Sequence, residues 1–156
     1  MSSPEENQGT LVLGVGNELM RDDGVGTFVA RQLQAESLGP EVAVVAGATS
    51  GLDLIWEMEG YARVVLVDAA RMGLAPGEVR QVPREEIEDR MVPLRSLHEL
   101  ALHDVLDLAE LSGIAPEVVV VAVEPAEVLP GEGLTPAVAA AVPEMLRLVR
   151  TLVTQT

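Results

Sequence analysis

The sequence predicts an α/β domain: a mainly parallel, twisted sheet of about five strands with helices on both faces, a three-layer sandwich of the phosphorylase or hydrolase kind. Short Val- and Leu-rich runs that do not alternate with polar residues read as strands covered on both faces. Amphipathic stretches with a period near 3.6 residues lie between them. Strands that alternate with helices in this way form parallel sheets wrapped by their own connections. The 156 residues suit one domain, and 48% of them are apolar, which excludes a disordered chain. With one Trp, one Tyr and one Phe, the core must be built from Val, Leu, Ala and Met.

The elements follow in order. The start, Met1-Ser2-Ser3-Pro4-Glu5-Glu6, is acidic and unlike a signal peptide. Residues 1–9 are expected to form a flexible tail, leaving 10–156 as a single domain. Thr10–Val15 reads as the first strand. Val25, Phe28, Val29 and Leu33 then fall on one helical stripe. Residues 41–46 resemble a further buried strand, and Ser50 with Asp53 marks a short helix beginning at Gly51. Residues 63–68 read as the next strand, whereas 78–82 alternate more and suit an edge. Ser96 and Glu99 have capping-box spacing, which predicts a helix from near Leu97 carrying His98, Leu102, Val105, Leu106 and Ala109 on its apolar stripe. Glu117–Val123 is a strand. Thr135-Pro136 places a capping hydroxyl before a first-turn proline, opening a last helix with Val138, Val142, Met145, Leu146, Val149 and Val153 on one face. Residues 71–77 and 124–133 are Pro- and Gly-rich loops.

Composition narrows the function. The chain has no cysteine, which excludes disulfides, iron–sulfur ligation and thiol nucleophiles. Nothing then signals an oxidising compartment, so a cytoplasmic location is expected. A formal net charge of −15 repels nucleic acid and anionic lipid, and the apolar runs are too short to cross a bilayer. No apolar face exceeds what the core needs, so a monomer is expected.

In an open α/β sheet, function gathers beyond the C-terminal ends of the strands. The first strand ends in Gly14-Val15-Gly16-Asn17-Glu18-Leu19-Met20-Arg21-Asp22-Asp23-Gly24-Val25-Gly26. A dinucleotide fingerprint would need glycine where Leu19 stands, so the glycines are read as allowing a tight turn and close backbone approach. One of Asp22 and Asp23 is enough to cap the following helix, which leaves the other to face the cleft. Asp68 follows four buried apolar residues and sits at the sheet rim, as a loop hydrogen-bonding group or as a metal ligand or base. His98, on the apolar stripe of its helix, reads as a satisfied core residue or as a ligand; at the start of a helix the dipole favours its neutral form, the form that binds metal. His103 lies five residues on, about 140° around an ideal helix, so the two imidazoles cannot share an ion and His103 reads as a surface residue. Two carboxylates and an imidazole from three segments make a plausible open site for nickel or zinc. No serine sits in a nucleophile elbow.

The order GVGNELMRDDGVG, VVLVDAA, SLHELALHDVL and VVVVAVEP with GLTP resembles the nickel-iron hydrogenase maturation endopeptidases over nearly the whole chain. The resemblance implies an endopeptidase that removes the C-terminal extension of the hydrogenase large-subunit precursor after nickel insertion. It implies that Asp23, Asp68 and His98 bind the metal, with Asp23 or Asp68 as the catalytic carboxylate. Nickel in this family is carried by the substrate; zinc or another divalent ion is a possible substitute. Whether the metal polarises the scissile carbonyl, activates water or only positions the peptide stays open. Many relatives carry an Asp before the Gly-Thr segment that ends strand two. Ala46 occupies that place here, so no role for a carboxylate transfers, although the Gly47–Gly51 loop is still expected to line the cleft. The alternative is a nickel-binding assembly chaperone that uses the same ligands without hydrolysis.

Overall fold

The computed structural model describes residues 7–48, 51–92 and 101–155. Five strands form one sheet: β1 (Thr10–Val15), β2 (Val42–Ala48), β3 (Arg63–Ala69), β4 (Val79–Pro83) and β5 (Glu117–Val123), in the order β2-β1-β3-β5-β4. The first three and β5 run parallel, and β4 is antiparallel to β5 at one edge. The helices are α1 (Val25–Gln34), α2 (Asp53–Met58), α3 (Ile87–Arg90), α4 (Leu102–Leu111) and α5 (Pro136–Thr154).

The apolar runs explain the layering. In β1 and β3, alternate residues enter opposite cores, so both sets must be apolar. Leu11, Leu13, Val64 and Leu66 join α2, α3 and α4 on one face. Val12, Val65 and Val67 join α1 and α5 on the other. The α/β class, the three layers and the edge position of residues 78–82 are as the sequence indicates. Leu66 is 1% exposed in the second of the three inner strands. Leu66→Ala is expected to cost about 2–5 kcal/mol in urea unfolding. Leu111→Ala, at an 85% exposed position, should stay within about 0.5 kcal/mol.

Three local expectations need correction. Strand β2 is an edge strand and only partly covered, because among the described residues no strand pairs beyond it. Phe28 is exposed, although Val25, Val29 and Leu33 of its stripe are fully buried. Gly26 and Thr27 turn inward instead, where a small side chain allows α1 to lie close on the sheet. The helix expected from Leu97 does not run into the Val105 stripe. Ala101 is extended (φ −69°, ψ 152°), and its carbonyl accepts the Asp104 and Val105 amides, so α4 begins at Leu102. Ser96, Leu97, His98 and Glu99 lie outside the described residues.

The strand order also locates the cleft. From β1 the chain moves to β2 on one side, then crosses to β3 on the other. The connections diverge between β1 and β3, and the crevice beyond their C-terminal ends is where such folds bind ligands.

Candidate active site

Strand β1 delivers the chain to this crevice, where residues 16–24 form a compact loop ending in a 3-10 turn, Arg21–Gly24. Gly16 has φ +130°, and a Cβ there would stand 1.8 Å from the Asp23 carbonyl oxygen. Only glycine allows that approach. The Asn17 amide donates to Asp23 Oδ2 at 3.0 Å, and the Leu19 amide to Asn17 Oδ1 at 2.9 Å. The Thr27 hydroxyl, on α1, donates to the Gly16 carbonyl at 2.9 Å. Asp23 is thereby fixed with only 4% of its surface exposed.

At Gly26 the start of α1 meets the ends of β1 and β3. A Cβ at that position would lie 2.0 Å from the Val67 carbonyl oxygen and 2.4 Å from that of Val15. Asp68 follows Val67 directly, half-buried, with Oδ1 accepting the Ala69 amide at 2.8 Å. Asp23, in the turn that follows β1, and Asp68, near the end of β3, thus border the same crevice at the switch point.

Neither aspartate caps α1, contrary to the reading from spacing. The N-cap is Gly24, without a side-chain cap. Asp22 turns away from the crevice and is fully buried. Its Oδ2 accepts the Ala126 and Glu127 amides at 2.9 and 3.0 Å and the Thr135 hydroxyl at 2.8 Å; Oδ1 accepts the Thr135 amide at 2.8 Å. The expected capping hydroxyl of Thr135 is spent here and not on α5. Burial of Asp22 opposes ionisation. The hydrogen bonds from Glu127, Thr135 and Ala126 outweigh it and hold the carboxyl below its ordinary value. Stability from this depressed pKa is full above the unfolded value of about 3.9 and is lost as pH falls through the folded one. The stability gap between wild type and Asp22→Asn in urea unfolding should therefore be widest near neutral pH and narrow below about pH 4.

A third buried carboxylate has no counterpart in the sequence reading. Glu124, just beyond β5 and 7% exposed, accepts the Met72 and Leu74 amides through Oε1 at 2.7 and 3.1 Å. It pins the loop that follows Asp68. Its one sequence signal was a lone acid after six apolar residues at a strand end.

His103 is half-buried on α4, with Nε2 3.3 Å from Asp104 and 3.9 Å from Glu88. It stands among carboxylates of its own layer and is less open than a surface residue. Among the described residues, no three His, Cys, Asp or Glu side chains are grouped to hold a metal. Two of the three expected ligands, Asp23 and Asp68, are described at the crevice, and the third, His98, lies outside the described residues.

A family model described as hydrogenase maturation protease matches residues 28–151. The hydrogenase 2 maturation protease of Escherichia coli is 32% identical over 142 residues, covering 89% of this chain and 87% of that protein. The solved structure of the hydrogenase maturating endopeptidase HybD from E. coli superposes with a TM-score of 0.79 at 31% identity, over 90% of this chain and 89% of that one. The chain belongs to the hydrogenase maturation protease family. The hydrogenase expression/formation protein HoxM of Cupriavidus necator is 36% identical over 125 residues, 75% of this chain. This family member spans 59% of the length of HoxM and 57% of that of HupM from Azotobacter chroococcum. The family match begins after the Asp22-Asp23 pair.

Proposed function

We propose that the protein is an endopeptidase that removes the C-terminal extension of the nickel-iron hydrogenase large-subunit precursor once nickel is in place. Asp23, Asp68 and His98 complete the coordination of nickel held by the substrate, and zinc or another divalent ion can take its place. The carrying observation is that Asp23 and Asp68, 45 residues apart in sequence, border one crevice at the switch point of the sheet. Family membership supports the reaction class.

The rim also suits a peptide. Leu19, Leu52, Val92 and Leu129 are each more than half exposed; Leu19, Leu52 and Leu129 follow β1, β2 and β5, and Val92 bridges Arg71 just beyond β3. An extended C-terminal tail can lay apolar side chains on such a border while the two carboxylates address the metal beside the scissile bond. In the cut, water adds to the scissile carbonyl and the amine leaves. Asp23 or Asp68 takes the proton of the attacking water and passes it to the departing amine, and nickel fixes the peptide or polarises its carbonyl. No helix among the described residues is long and apolar enough to cross a membrane. We place the protein in the cytoplasm as a monomer that meets its client there.

Mixing purified protein with nickel-loaded precursor tests the reaction class. Release of a short C-terminal peptide is the expected result. A stable complex with an intact subunit would instead identify a non-hydrolytic assembly chaperone.

A further inference from the structure

The Arg21–Gly24 turn presents two adjacent aspartates to two different places. In a 3-10 turn successive side chains are about 120° apart, so Asp23 can face the crevice while Asp22 faces the opposite way. Asp22 is met there by the loop between β5 and α5. Besides the four bonds to its carboxylate, the Asp22 amide donates to the Glu127 carbonyl at 3.1 Å, the Arg21 amide to Gly131 at 3.1 Å and the Gly131 amide to Leu19 at 2.9 Å. Met20 and Gly131 form an isolated parallel bridge. Arg21 itself has φ +48°, a left-handed conformation that costs a non-glycine residue and persists only when its surroundings over-determine it.

From this geometry we infer that Asp22 is a positioning residue: with Thr135 it locks the β5–α5 loop to the Arg21–Gly24 turn and so sets Asp23 and one wall of the substrate cleft. The consequence for catalysis rests on the protease reading; the clamp itself does not. The Thr135 hydroxyl joins two motifs 113 residues apart through one carboxylate. An amide in place of that carboxylate has one acceptor oxygen where two are in use, and its NH2 would confront donors. The turn then loses its outer support, and Asp23, held on the inner side by the Asn17 amide, loses its fixed place.

The test has two arms on the full chain, Asp22→Asn, Thr135→Val and Thr135→Ser being compared with wild type well below all their melting temperatures. Hydrogen exchange of the Asn17 amide, followed by NMR on the protein alone, reads the position of Asp23. It should quicken in Asp22→Asn and Thr135→Val and stay near wild type in Thr135→Ser, which keeps the hydroxyl. Cleavage of nickel-loaded precursor reads the consequence: kcat/KM should fall about 10–100-fold in Asp22→Asn, partly in Thr135→Val, and recover in Thr135→Ser. The double variant should be no worse than Asp22→Asn, because both act on one network. Unchanged Asn17 exchange, or wild-type kcat/KM in Asp22→Asn despite a lower melting temperature, overturns the inference. If Asp22→Asn does not fold, Thr135→Val against Thr135→Ser decides by the same two readings. If wild type fails to cleave, the protease reading falls, and the clamp is judged on exchange alone.

Discussion

Asp68→Asn is expected to abolish processing of nickel-loaded precursor, lowering the rate by at least about 10²-fold, the lower end for a group that transfers a proton in catalysis, while the protein stays folded. The two halves of this expectation have separate causes. Asp68 is half-buried near the end of an inner strand, and its Oδ1 accepts the Ala69 amide. The amide oxygen of asparagine can accept that bond equally well, and the two side chains have nearly the same shape. What disappears is the charge, and with it an anionic ligand for a divalent ion and a base for the attacking water. His98→Gln should give the same loss through the ligand that completes the trio. Circular dichroism and the melting temperature verify the fold, and the mass of the client subunit reads the activity. Normal cleavage by both variants would refute the assignment of these residues.

Gly26→Ala should have the largest effect on stability. The added methyl would lie 2.0 Å from the Val67 carbonyl oxygen and 2.4 Å from that of Val15. Both obstacles are backbone in inner strands and cannot swing aside as a long side chain would. The helix must move instead. A penalty of about 3 kcal/mol or more follows, at or beyond the upper range for overpacking. The displacement acts three residues from Asp23, so the surviving folded fraction should also process poorly. A urea midpoint equal to wild type would show that α1 does not seat on these carbonyls.

These two residues illustrate what the chain discloses by itself. The inner strands were legible because burial on both faces forces continuous Val and Leu, as in Val64-Val65-Leu66-Val67. Asp68 stood out for the same reason, a carboxylate ending such a run. Gly14 and Gly16 announced close approach, and both make it. Partners distant in sequence stayed hidden. Asp22 looked like a helix cap because capping is judged from a few adjacent residues, whereas its donors come from Ala126, Glu127 and Thr135. Thr135 misled by the same logic: its hydroxyl precedes a helix yet serves a carboxylate from the other end of the chain. The apolar stripe from His98 to Ala109 could not foresee the extended Ala101 after which α4 begins at Leu102. Phe28 shared the stripe of Val25 and Val29, but the depth to which α1 sinks is set by Gly26, and the larger ring is left outside.

Nickel dependence tests the central claim most directly. The client precursor, prepared with nickel and without it, is incubated with the wild-type protein and weighed by mass spectrometry. The account requires the C-terminal peptide to be lost from the nickel-loaded subunit alone, with the metal-free subunit keeping its full mass. Equal shortening of both would contradict recognition of substrate-held nickel by Asp23, Asp68 and His98.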